Sequence, residues 1–155
     1  KYLREIGADV IWHLPTRDGE GYGLNTAAVQ EIANAGAKLL VTVDCGISGN
    51  KEVDFAKQCG LRVVVTDHHS PDSVLPNADA VVNPKRTDDT SELNYLAGVG
   101  VAFLTVVALN RELKKANFPT QKKLALYNAL AKITRNINAN CNATNAFDLL
   151  LIELF

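Results

Sequence analysis

Residues Lys38–Gly46 read Lys-Leu-Leu-Val-Thr-Val-Asp-Cys-Gly, and residues Leu61–His69 read Leu-Arg-Val-Val-Val-Thr-Asp-His-His. Each is a short, nearly continuous apolar run that stops abruptly on polar side chains, the pattern of a parallel strand covered on both faces. Between them Ser48 or Asn50 opens a helix with Val53 and Ala56 in its middle, and Gly60 ends it. Strand, helix and strand together occupy about 30 residues, the usual length of a right-handed parallel crossover. That topology places Asp44 and the Asp67-His68-His69 cluster on the same edge of a sheet.

The pattern continues in both directions. Tyr2 to Ile6 reads as the last turn of a helix closed by Gly7, and Ala8–Leu14 as a strand stopped by Pro15. A glycine-rich loop, Arg17–Gly23, leads to a helix capped by Asn25, with Ala28, Val29, Ile32 and Ala33 at helical spacing as far as Gly36. Downstream, Ala78–Asn83 makes another short strand. After a polar stretch comes a helix from about Val99 to Lys115, apolar nearly all round and therefore expected to be buried. The fold class that follows is α/β, a three-layer, mostly parallel sheet with helices on both faces. Beyond Pro119, Gln121–Ile133 has helical spacing, and an asparagine-rich run follows it.

Composition sets the outer limits. With 155 residues and 47% hydrophobic content, the chain is long enough for one buried core. Lys and Arg number 16 against 17 Asp and Glu, so a nucleic-acid partner has to be met by a local patch rather than by overall charge. Cys45, Cys59 and Cys141 are odd in number and contain no Cys-x-x-Cys pair. This argues against a disulfide framework or a zinc ribbon and for a reducing, cytoplasmic setting. No apolar run approaches the roughly 18 residues needed to span a bilayer. Neither a membrane nor export by a signal peptide is expected, and nothing fixes the oligomeric state.

Ligands of open parallel sheets bind beyond the carboxyl ends of the strands, where Asp44 and the Asp-His-His cluster fall. Neighbouring strands lie about 4.8 Å apart, so if these two are adjacent, or separated by one other, the side chains ending them can share a metal ion or flank a pair of ions. Carboxylate with imidazole suits Mn²⁺ or a related divalent cation, and paired ions about 3.5–4 Å apart are a recurrent device of phosphoryl transfer. In that arrangement Asp44 can bridge, His68 can ligate, Asp67 can orient a ligand from behind, and His69 can contact the phosphate. A lone Asp at a strand end is more often a turn former. Two adjacent imidazoles after a buried apolar strand have no packing purpose, however, and they tip the balance towards a site. His13, alternating with Trp12 and Leu14, reads as decoration of a solvated face. Gly98-x-Gly100 is either a phosphate turn or a place of close helix packing, and the Arg17–Gly23 loop is either a flexible turn or a phosphate-backbone contact.

Val-Asp-Cys-Gly-Ile at Val43–Ile47 and Thr-Asp-His-His at Thr66–His69 resemble two successive signature motifs of the DHH phosphoesterases. Pro15–Leu24, Val82-Asn83-Pro84 and Leu96–Leu104 narrow the resemblance to that family's bacterial single-stranded-DNA-specific exonucleases, over Lys1 to about Lys123. The resemblance implies 5′-to-3′ hydrolysis of single-stranded DNA with Mn²⁺ or Mg²⁺, in recombination and repair. It implies Asp44 and His68 as metal ligands, and Asp67 and His69 as catalytic residues, with His69 near the scissile phosphate. Arg17, Tyr22, Gly98 and Gly100 fall in stretches that resemble walls of the substrate channel. It further implies a partial DHH domain over residues 1–123 and a divergent helical tail over 124–155.

Two departures accompany the match. The family's Asp-x-Asp-x-Asp-Gly motif, expected before Lys1, is absent, and Leu124–Asn145 contains no Asp where another ligand is expected. The two-metal site is thus expected to be incomplete in this chain and the isolated chain inert, as a fragment or the product of a split or shifted reading frame would be. The alternatives are a catalytically inactive remnant that binds nucleic acid or protein, and a DHH phosphoesterase acting on small phosphoesters.

Overall fold

A computed structural model of the chain describes residues 2–15 and 23–115. The elements are α1 (Tyr2–Glu5), α2 (Thr26–Asn34), β1 (Leu39–Val43), α3 (Asn50–Gln58), β2 (Arg62–Thr66), β3 (Ala80–Val82) and α4 (Gly98–Lys115). They fall into two units, Ile11–Val107 on one hand and Lys1–Val10 with Ala108–Phe155 on the other. In the second unit, α1 closes as its residues dictate. Gly7 takes a left-handed φ of 95°, and the amide of Ala8 returns to the Leu3 carbonyl at 2.9 Å.

The first unit holds the sheet, whose order is β1-β2-β3 with both pairings parallel. Register aligns Leu40 with Val63 and Thr42 with Val65, so these side chains share one face. Leu40, Val63 and Val65 pack with Val29 of α2, Val53 and Ala56 of α3, and Leu61, all of them buried. Helix α2 starts where expected, with the Asn25 carboxamide oxygen accepting from the Ala28 amide at 2.8 Å. Helix α3 begins at Asn50 with Gly49 at its N-cap, and no side chain caps it.

The opposite face carries Leu39, Val41 and Val43, which remain exposed among the described residues. Two expectations fail here. Ala8–Leu14 forms no strand, and Ile11, Trp12 and Leu14 are exposed. Its β-like composition finds no neighbouring ladder among the described residues, and a strand without a ladder is not a strand. Nor is α4 buried all round: Val101 is, whereas Leu104 is exposed. Hydrophobic composition states what a helix can bury, and the partners available decide what it does bury.

β3 is shorter than its apolar run because polar side chains take over at both ends. The Asp79 carboxylate accepts from the Val63 amide at 2.7 Å, and its own amide donates to the Val63 carbonyl at 2.8 Å, so pairing with β2 begins before the strand does. Asn83 closes the other end and reaches the site described below.

The two faces of β1 give a direct test of the layering. Leu40 is 7% exposed and Leu39, its neighbour, 52%. Leu40→Ala should cost about 2–5 kcal/mol, whereas Leu39→Ala should stay within about 0.5 kcal/mol. Urea unfolding midpoints of the two variants measure the difference, and comparable losses would contradict the assigned face.

Candidate metal centre

The ladder β1-β2 ends with Val43 opposite Thr66, so Asp44 and Asp67 are the first residues past adjoining strands. The Asp44 amide still donates to the Thr66 carbonyl at 2.9 Å, and the Thr66 hydroxyl returns a bond to the Thr42 carbonyl at 2.6 Å. Past that point the backbone turns sharply. Asp44 takes φ 62°, a left-handed conformation that Asp tolerates better than most residues. Gly46 follows at φ 101°, where a Cβ would lie 2.9 Å from Thr42 Oγ1, the hydroxyl that donates to the Cys45 carbonyl. Only glycine fits that turn.

Asp67 is 1% exposed and saturated with donors. Its Oδ2 accepts from the Ile47 amide at 3.0 Å. Oδ1 accepts from the His68 amide at 2.7 Å, the His69 amide at 3.2 Å and the His69 ring at 2.7 Å through Nδ1. Burial by itself would raise this carboxyl's pKa. The Ile47 amide, the His69 ring and the amides of His69 and His68 favour the anion more strongly, and hold it below the usual carboxylate range. A carboxylate can only accept, so Nδ1 of His69 carries the proton and Nε2 is left as the nitrogen with a lone pair to offer.

Asp44 faces His68 across the strand ends. Its Nε2 stands 3.2 Å from Asp44 Oδ1, yet the pair is not aligned as a hydrogen bond. Oδ1 is shielded from solvent and has no hydrogen-bond partner among the described residues, although the Asp44 side chain as a whole is 39% exposed. A shielded oxygen without a donor is costly unless something else meets it. Two ligand atoms at this separation fit a shared cation, since bonds of about 2.1 Å at right angles leave ligand atoms about 3.0 Å apart. His69 joins them, with one ligand atom from each of Asp44, His68 and His69 lying within 4.8 Å of the others. The carboxylate and imidazole donors suit a divalent ion of the Mn²⁺ type.

The remaining sequence candidates are distributed around this cluster. Gly98, the first residue of α4, lies directly against Asp44, for a Cβ there would fall 1.9 Å from Asp44 Oδ1. A Cβ on Gly100 would meet the Leu96 side chain, at 3.1 Å. Arg17 and Tyr22 lie outside the described residues, as does the tail from 124 onwards. Gly23, the last residue of that loop, reaches the rim, since a Cβ on it would lie 3.9 Å from Cys45 Cβ. Burial, then the negative charges of Asp67 and Asp44, push the Cys45 thiol's pKa up, and a protonated thiol is a poor nucleophile and a poor ligand.

One participant escaped the sequence reading. Asn83, 3% exposed, donates through Nδ2 to the His69 carbonyl at 2.9 Å and accepts the Lys85 amide on Oδ1 at 2.8 Å. It ties the end of β3 to the histidine turn. The available signal was a buried-type position held by Asn immediately before Pro84, at the end of an apolar strand.

Asp67 yields a prediction with a defined sign. Asn in its place offers one acceptor oxygen and turns an amide against donors, so Asp67→Asn should cost about 1–3 kcal/mol at neutral pH. Because the folded-state pKa is lowered, the stabilisation is complete above about pH 4 and is lost as pH falls through the folded value. The gap between parent and variant should therefore narrow on acidification, as read from denaturant midpoints at pH 7 and pH 3. An equal gap at both would show that the charge plays no part.

Comparison with known proteins finds relatives over most of this chain. The chain is 44% identical over 124 residues to the single-stranded-DNA-specific exonuclease RecJ of Dickeya dadantii (strain 3937), covering 79% of this chain and 22% of the relative. A crystal structure of exonuclease RecJ bound to manganese superposes with a TM-score of 0.64 at 41% identity, over 72% of this chain and 28% of that one. RecJ from Thermus thermophilus in complex with Mn²⁺ gives 0.59 at 36% identity, over 73% and 15%. The chain thus spans about a fifth of the length of its curated relatives. Residues 1–132 match the model of the DHH family, N-terminal domain, and the chain belongs to that family.

Proposed function

We propose that this chain supplies the Asp44–His68 portion of a divalent-metal site for phosphodiester hydrolysis, within a protein that degrades single-stranded DNA from its 5′ end. The observation that carries the proposal is the shielded, unpartnered Asp44 Oδ1 facing His68 Nε2 at 3.2 Å across two adjoining strand ends. The names of the relatives support the substrate class, and the manganese in two of their structures supports the type of ion. Action in DNA recombination and repair, in the cytoplasm, follows from the same reading.

The roles divide by geometry. Asp44 and His68 hold the ion, Mn²⁺ or Mg²⁺. When bound, such an ion lowers the pKa of a coordinated water and offsets charge building on the phosphate. Asp67 fixes the tautomer and direction of the His69 ring, and His69 presents Nε2 to the metal or the scissile phosphate. Arg17, in the glycine-rich loop, supplies a cation suited to the DNA backbone. The single metal-ligating group among the described residues is Asp44, His68 and His69, too few ligands for a complete two-ion site.

Two expected outcomes test this reading. Mn²⁺ titrated into the chain and followed by loss of the free-ion EPR signal should bind, and Asp44→Asn or His68→Ala should each weaken it at least about tenfold. Asn tolerates the left-handed backbone of position 44, so the first variant removes charge without unfolding the turn. The isolated chain should release no nucleotides from a 5′-labelled single strand in the presence of Mn²⁺. Mn²⁺ affinity indifferent to both substitutions would remove the basis of the assignment.

A further inference from the structure

The hydrogen bonds around the site are unevenly shared. Asp67 is held by the Ile47, His68 and His69 amides and by the His69 ring, whereas Asp44 Oδ1, on the other side of the rim, is held by none. A carboxylate with free χ angles should swing into water, where it is better solvated, and part of the side chain does reach solvent. What stands in its way is the start of α4. An ideal Cβ at position 98 would lie 1.9 Å from Asp44 Oδ1, 2.4 Å from its Cγ and 2.8 Å from its Cβ. No Cβ approaches a non-bonded atom so closely, so the carboxylate occupies the volume that a side chain at position 98 would need.

We infer that Gly98 is a positioning residue for the metal site, a bare backbone wall against which the Asp44 carboxylate rests, holding Oδ1 towards His68. This deepens the metal reading proposed above and rests on it. Position 44 contributes through its left-handed backbone, φ 62°, with its Cβ lying against the start of α4. Direction thus comes from a backbone conformation and a steric stop, and no lone pair of Oδ1 is used to fix it. A carboxylate held by donors would have to surrender hydrogen bonds to accept a cation; one held by contact keeps its lone pairs for the ion. The requirement for glycine is local. At Gly100, two residues on, a Cβ would press on the end of the flexible Leu96 side chain, at 3.1 Å.

The test is a mutant cycle on the full chain, read by Mn²⁺ binding and by thermal unfolding. Gly to Ala in a helix ordinarily stabilises. Here Gly98→Ala should lower Tm and weaken Mn²⁺ binding at least about tenfold, because either the carboxylate or the helix must move. Asp44→Gly removes the three atoms nearest the new Cβ and suits the left-handed backbone, so in that background Gly98→Ala should leave Tm unchanged or raise it. Reversal of the Tm effect together with loss of Mn²⁺ affinity in the parent background upholds the proposal. Unchanged Mn²⁺ affinity in Gly98→Ala, or an equal loss of Tm in both backgrounds, overturns it. Failure of the parent chain to bind Mn²⁺ at all would defeat the metal reading alone, and the pair of Tm shifts would still uphold or overturn the steric contact.

Discussion

Asp67 is a charge taken almost wholly out of water, and the sheet edge is organised around making that tolerable. An ionised carboxylate in such a place is stable only where donors surround it. Here they come from two loops, the Ile47 amide after β1 and the His68-His69 turn after β2. One side chain therefore joins the ends of two adjacent strands, and it does so with a group whose oxygens accept and never donate. A serine or an asparagine has too few acceptor sites for that pattern. The histidines are consequently presented by a rigid turn, which Asn83 braces from the far side.

Much of this was legible in the residues. The continuous apolar runs ending at Val43 and Thr66 marked parallel strands, because strand length, bounding glycines and the helix between them are local signals that tertiary packing reinforces; that the two are adjacent came from the structure. The Asn25 cap and the Gly36 stop were legible for the same reason. From parallel strands alone it follows that Asp44 and His68 share a rim. The closeness of Asp44 Oδ1 to His68 Nε2 is a finer matter, set by the left-handed turn at Asp44 and by Gly98, a residue distant in sequence.

The failures share a cause. Ala8–Leu14 has the composition of a strand and α4 that of a buried helix, but both outcomes depend on partners that a local pattern cannot name. Among the described residues, Trp12 and Leu104 remain exposed, as does the face of β1 that bears Leu39, Val41 and Val43. Asn83 was missed for the converse reason. Its role is a tether of its side chain to a carbonyl fourteen residues away, and a buried Asn before Pro looks, in sequence, like an ordinary turn.

The two aspartates of the rim show how one residue type serves opposite ends. Asp67 is buried, crowded by donors and stabilised as an anion, so its lone pairs are taken up by the protein. Asp44 sits in a strained backbone conformation, part exposed, with an oxygen that no donor meets. Strain and an unsatisfied acceptor both oppose folding, and they persist because the paired strands and the start of α4 fix that geometry from either side. A turn built only for stability would place Gly or Asn at position 44, which take the left-handed backbone at lower cost. On the metal reading proposed above, an oxygen that the fold leaves without a donor is the one a bound cation would meet.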